Sequence, residues 1–227
     1  MVILIGYGKL ATCLLQFKQP DVHVGLYSRN KEKLKKAVSH SKVLFEVSAK
    51  EFPKATHVWL TLPAEEYAPF FETYGHLFSE DCVFYYFATA MMKEDVQKLI
   101  TYGRIVPCKF VGHADQSIKD NKAMLALEED DKEEFKQVKQ WFLRDMKLIK
   151  AAEEEVYYIN KKVTELAIRF AVTVKKELQN EKENDEILQH SLEITSRGVI
   201  QSYINNTLGH FGNKIASEVE KEVRDEN

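Results

Sequence analysis

Short apolar runs alternate with helical stripes through the first two thirds of the chain. Val2-Ile3-Leu4-Ile5 is apolar throughout, and after two glycines Leu10, Cys13, Leu14 and Phe17 recur at helical spacing, which predicts strand, tight turn and helix. Runs rich in β-branched and aromatic residues predict further strands at 22–27, 43–47, 56–60, 82–87, 105–111, 123–127 and 147–150. Between them, helices are expected at 31–38, 65–77, 93–102 and 132–142, with Pro53 and Pro63 in loops. Parallel strands need crossover connections and helices supply them. The alternation therefore predicts an α/β module with a mostly parallel sheet covered on both faces.

The last third reads differently. Val156, Ile159, Val163, Leu166, Phe170, Val174 and Leu178 fall every three or four residues, so a helix of about 25 residues is expected there. Two more are predicted at 185–205 and 208–223. Charge follows the same division: residues 1–150 hold 22 Lys and Arg against 20 Asp and Glu, residues 151–227 hold 10 against 15. We read two domains, 1–150 and an all-helical 151–227. Three helices cannot close a roomy core alone, so the second is expected to pack against the first domain or to pair with another copy in a homodimer.

Composition narrows the function classes. A net charge of -3 over 227 residues argues against a protein that works on the phosphate backbone of nucleic acid. Cys13, Cys82 and Cys108 are odd in number, far apart and set in apolar surroundings, so reduced thiols are expected, with neither a disulfide framework nor a metal site. The opening residues lack a basic leader and no apolar run reaches about 18 residues, which points to a cytoplasmic protein without a membrane span. The acidic run 128–131 with Glu133 and Glu134 lacks the ligand alternation of a calcium loop and reads as a turn and an acidic first helical turn.

The sharpest chemical signal is Gly6-Tyr7-Gly8-Lys9-Leu10-Ala11, a G-x-G-x-x-A turn between the first strand and its helix. Gly6 permits the tight turn, Gly8 lets backbone approach a pyrophosphate, and Ala11 lets the helix approach the strand. The anion would sit on the first N–H groups of the helix, at Tyr7 to Leu10. An ordinary strand-to-helix turn is the alternative. An NAD site would place Asp or Glu at the end of the second strand, whereas this chain has Tyr27-Ser28-Arg29-Asn30 followed by Lys31 and Lys33. Hydroxyl, amide and guanidinium donors suit a 2′-phosphate, so NADP is expected over NAD. Ser28 and Asn30 could instead cap the next helix.

With these residues in place, the first 150 positions resemble the pyrroline-5-carboxylate reductase family. Thr61-Leu62-Pro63 is similar to the family's Val-Lys-Pro, and Ser79-Glu80-Asp81 leading to Phe87-Ala88-Thr89-Ala90 is similar to its "SED...SIAAG". Arg104-Ile105-Val106-Pro107 resembles "RVMPN", and Val163-Thr164-Glu165-Leu166 stands where the family has "VTALSGSGPAY". The resemblance implies a Rossmann-type domain, an NADP site that includes Leu62, Pro63, Ala88 and Thr89, and reduction of a small imine or carbonyl compound. It also departs from the family: Ala167-Ile168-Arg169-Phe170-Ala171 replaces the substrate-holding "SGSGPAY". A non-catalytic dinucleotide-binding or regulatory protein is therefore the alternative.

Few side chains offer catalysis. Lys109, which follows the sixth strand's Pro107 at the carboxyl edge of the sheet, could hold a substrate carboxylate or be a solvated lysine. Thr164 matches the family's Thr by position, and could face the cofactor or bond back to its own helix. Asn160, Lys161 and Lys162 precede it, and His113 with Asp115 could form an acid-base pair or be structural.

Overall fold

A computed structural model describes residues 1–128, 132–178 and 185–225. Strands β1 (Val2–Ile5), β2 (Val24–Tyr27), β3 (Leu44–Glu46), β4 (His57–Leu60), β5 (Val83–Tyr86) and β6 (Arg104–Pro107) form one wholly parallel sheet. Its order is β3-β2-β1-β4-β5-β6. Helices α1 (Lys9–Phe17), α2 (Lys31–Ser39), α3 (Tyr67–Tyr74) and α4 (Lys93–Leu99) lie in the crossovers. The strand order reverses between β1 and β4, and the crevice outside the carboxyl ends at such a switch point is where open α/β sheets bind ligands. Register sets Ile5 beside both Tyr27 and Leu60, so β1, β2 and β4 end level at that edge.

Burial explains why β1 is apolar without alternation. Ile5 packs on one face with Phe52, Tyr67 and Phe70, while Leu4 packs on the other with Leu14, Phe17, Trp59 and Trp141. Ile3, Leu4 and Ile5 are wholly buried, and each contributes about 1.5–3 kcal/mol by leaving water. Cys13, Cys82 and Cys108 are free and buried, as expected.

Four local expectations are corrected. The run 105–111, read as one strand, is two. β6 stops at Pro107, which has no N–H to donate, and β7 (Lys109–Phe110) pairs antiparallel with β8 (Ala123–Leu127). β8 pairs parallel with β9 (Met146–Lys150), so these strands close the module as a separate three-stranded sheet. An additional helix, α5 (Ala114–Asp120), follows His113, and Asp115 in its first turn pairs with Lys9 on α1, with His113 adding only a weaker pull that also lowers the Asp115 carboxyl. The helix expected over 65–77 is α3 flanked by tighter turns at Ala64–Glu66 and Gly75–Leu77, and α4 ends at Leu99 rather than near 102.

Helix α6 (Lys132–Trp141) carries Glu133 and Glu134 in its first turn, as expected; residues 129–131 of the acidic run lie outside the described residues. Then comes α7 (Glu153–Leu178), 26 residues long, whose start the first sheet module retains. Val156 is buried there, and Asn160 donates to the Phe110 carbonyl (2.9 Å) and accepts from the Gly112 N–H (3.2 Å). The chain divides into two compact units at this helix, Met1–Lys162 and Val163–Asn227.

The second unit contains the rest of α7, then α8 (Asp185–His190), a π-helical turn at Ser191–Thr195, α9 (Ser196–Ile204) and α10 (His210–Asp225). Tyr203 donates to Glu220 (2.7 Å) between α9 and α10. No described residue of this unit is buried, and Val163, Leu166, Phe170, Val199, Phe211 and Val219 are exposed. Among the described residues, no helix is long and apolar enough to cross a membrane, and no cluster of His, Cys, Asp or Glu could hold a metal ion.

Candidate active site at the glycine turn

The turn after β1 assigns different work to its two glycines. Gly6 has φ +94°, and a Cβ there would come within 3.0 Å of the Thr61 carbonyl oxygen. Its N–H donates to Tyr27 (2.9 Å), and the Thr61 hydroxyl donates to the carbonyls of Ile5 (3.0 Å) and Gly6 (3.1 Å), fixing the turn between β2 and β4. Gly8 is the N-cap of α1 with φ −120°, an ordinary extended conformation, and makes no side-chain cap. A Cβ on Gly8 would meet nothing within 4 Å. Fold geometry thus demands glycine at position 6 and leaves position 8 open.

Gly8 also lines a cavity of about 430 Å³ within the first unit. Gly6, Tyr7 and Gly8 form one wall; Tyr27, Ser28 and Arg29 come from the end of β2; Leu62, Pro63 and Glu66 follow β4; Phe70, Thr73 and Tyr74 come from α3. The first N–H groups of α1 are left without intrahelical acceptors, and no acidic side chain stands in that turn. Such a helix start favours an anion. The Lys9 ammonium pairs with Asp115 and Leu10 packs on the core, so at these two positions only the backbone is left to the helix start.

The end of β2 divides its side chains between capping and the cavity. Asn30, expected to contact a cofactor, caps α2 by accepting from the Lys33 N–H (3.1 Å), and Ser28 accepts from the Asn30 N–H (3.3 Å). Arg29 stays exposed at the cavity, with Nη2 2.7 Å from Oε1 of Glu66. The Tyr27 ring packs edge-on against Phe52 and Tyr74, and burial with the neighbouring Tyr74 hydroxyl pushes its own hydroxyl up to about 12.

No known protein-family pattern matches the chain, and no curated protein matches it in sequence. Solved structures do. A pyrroline-5-carboxylate reductase from Coxiella burnetii shares the fold with a TM-score of 0.67 over 99% of this chain and 92% of its own, at 12% identity. This chain has the pyrroline-5-carboxylate reductase fold. A pyrroline carboxylate reductase from Plasmodium falciparum, solved with NADP bound, matches with a TM-score of 0.62 over 99% and 90% at 8% identity. A Streptomyces aurantiacus imine reductase gives 0.65 over 97% and 78% at 11% identity.

Within this reductase fold, Lys109 is neither of the alternatives read from the sequence. It is 1% exposed, and its Nζ donates to the carbonyls of Ala88 (2.9 Å) and Met91 while lying 3.0 Å from Oε2 of Glu153 and over the Tyr86 ring. The Tyr86 hydroxyl also donates to Glu153, whose other oxygen accepts from the Lys93 N–H at the start of α4 (2.7 Å). Burial pulls the Lys109 ammonium down and the Glu153 carboxylate opposes it, while burial and then Glu153 push the Tyr86 hydroxyl far up. These bonds occupy the lysine, so its proposed hold on a substrate carboxylate is corrected: Lys109 fixes the turn after β5.

The other candidates are dispersed. Ala88 and Thr89 lie in the turn after β5, which Lys109 holds through the Ala88 carbonyl, and neither lines the cavity. Thr164 is exposed on α7 in the second unit. Sequence reasoning missed Glu66, Phe70, Thr73 and Tyr74 as cavity residues, reading 65–77 only as a helix. Their spacing of four, three and one residues was the available signal, because it puts them along one side of a helix.

Proposed function

We propose that the chain is an NADPH-dependent oxidoreductase that reduces a small imine or carbonyl compound, with the dinucleotide held at the glycine turn. The observation that carries this reading is Gly8, which lines the cavity and has no protein atom within 4 Å of its Cβ position, so backbone there is open to a pyrophosphate. Tyr7 to Leu10 would offer backbone N–H groups to that pyrophosphate, Ser28 and Arg29 would meet the 2′-phosphate, and Leu62 and Pro63 would bound the opposite wall. The cofactor would supply hydride. The reductase fold supports the same chemistry by analogy.

Calorimetric titration with NADPH and NADH tests it. The expected result is micromolar NADPH binding, and Arg29→Ala weakens NADPH about tenfold while changing NADH less than about threefold. Equal effects on both would remove the 2′-phosphate assignment. One observation favours the alternative, a dinucleotide-binding protein without catalysis: Lys109 is sealed inside the fold. NADPH binding without turnover across a panel of cyclic imines and ketoacids would select that alternative.

We also propose a homodimer through the second unit. Apolar side chains such as Phe211, 78% exposed, have no core of their own to enter, and a second copy offers the matching stripes. Light scattering at micromolar concentration is expected to give about twice the 26.3 kDa chain mass; the mass of one chain would refute the dimer.

A further inference from the structure

The cavity holds a carboxylate that the glycine-turn reading does not use. Glu66, in the turn preceding α3, reaches across to Arg29 with 2.7 Å between Oε1 and Nη2, and both residues line the same cavity. This pair changes the electrostatics read from the end of β2. Arg29 there is a positive charge awaiting a phosphate; in the folded protein its charge is met by a carboxylate from the opposite wall. A 2′-phosphate carries nearly two negative charges, so it must draw Arg29 away from Glu66 and then lie beside the remaining carboxylate. A ribose 2′-hydroxyl meets no such opposition, because a carboxylate accepts a hydrogen bond from it.

We propose that Glu66 is a specificity-determining residue, which holds down the preference for a 2′-phosphate at Arg29 and lets the site accept NADH as well as NADPH. The inference rests on the dinucleotide reading above. It places the acceptor for the ribose hydroxyl on the far wall, at the start of α3, instead of at the end of β2 where this sequence has none. The pair is largely exposed on the arginine side, at 79%, which bounds its influence to the range of exposed ion pairs. A change of about fivefold in relative affinity is the size expected.

The test uses the full chain and the Glu66→Gln variant, titrated calorimetrically with 2′,5′-ADP and 5′-AMP, which present the adenosine end with and without the 2′-phosphate. Glu66→Gln is expected to raise the ratio of 2′,5′-ADP to 5′-AMP affinity about fivefold, and the NADPH to NADH ratio in the same direction. An unchanged or lower ratio, with both fragments still binding, overturns the role of Glu66 and leaves the dinucleotide reading standing. Absence of binding by either fragment and by either dinucleotide to the unsubstituted protein overturns the reading itself, and the proposal with it. Unfolding followed by tryptophan fluorescence checks that the variant is folded, since Trp59 and Trp141 both lie in the first unit's core.

Discussion

Gly8→Ala abolishes detectable NADPH binding and leaves the fold stable. The two halves of this expectation come from the same geometry. Alanine adopts φ −120° without strain, and its Cβ meets no protein atom within 4 Å. Alanine is a poorer N-cap than glycine, but it also reduces the freedom of the unfolded chain, so the net stability change is within about 1 kcal/mol of zero. In the proposed complex the methyl would stand where the backbone approaches the pyrophosphate, costing at least about a hundredfold in affinity. Gly6→Ala is the contrasting variant: positive φ and the 3.0 Å approach to Thr61 cost about 1–3 kcal/mol of stability whether or not a ligand binds. Titration calorimetry beside urea unfolding separates the two. Undiminished NADPH binding by Gly8→Ala would move the cofactor away from the glycine turn.

Lys109→Met is expected to destabilise the first unit by about 3–5 kcal/mol. Methionine nearly conserves the volume but strips the donor from the carbonyls of Ala88 and Met91, and it leaves the 3%-exposed Glu153 with the Tyr86 hydroxyl and the Lys93 N–H but without its cation. An unpaired buried charge costs more than the pair itself contributes, so the double variant Lys109→Met with Glu153→Leu is expected to recover part of the loss. Because Trp59 and Trp141 report on this unit alone, the urea midpoint of fluorescence measures the effect directly. A loss below about 1 kcal/mol would mean that water reaches the cluster and that the turn after β5 is held by other contacts.

How much of this was legible beforehand depended on the range of the interaction involved. The strand-turn-helix at Val2 to Phe17 is local: an apolar run buried on both faces, glycines at the turn, and a helical stripe ending at Phe17. The helical tail was legible for the same reason, since a stripe from Val156 to Leu178 needs only its own periodicity to be seen. The break at Pro107 was not. Both β6 and β7 are buried, so the apolar pattern runs through the point where the chain changes sheets, and periodicity carries no record of which partner a strand pairs with. The short α5 escaped because seven residues without a strong apolar stripe hold their helix by packing rather than propensity.

At the candidate site the division is similar. Sequence alone determined the α/β class, the parallel alternation, the glycine turn, the absence of an acidic residue at the end of β2, and the apolar stripes of the tail, because each is written in neighbouring residues. Tertiary structure decided the rest. It crowded the Cβ position of Gly6 and left that of Gly8 open, turned Asn30 into a helix cap, buried Lys109 against Glu153, and set Glu66 opposite Arg29 across 37 positions of chain. Those outcomes depend on which side chains meet across the sheet edge, and charges or hydroxyls take their roles from the partners that packing brings within about 3 Å of them.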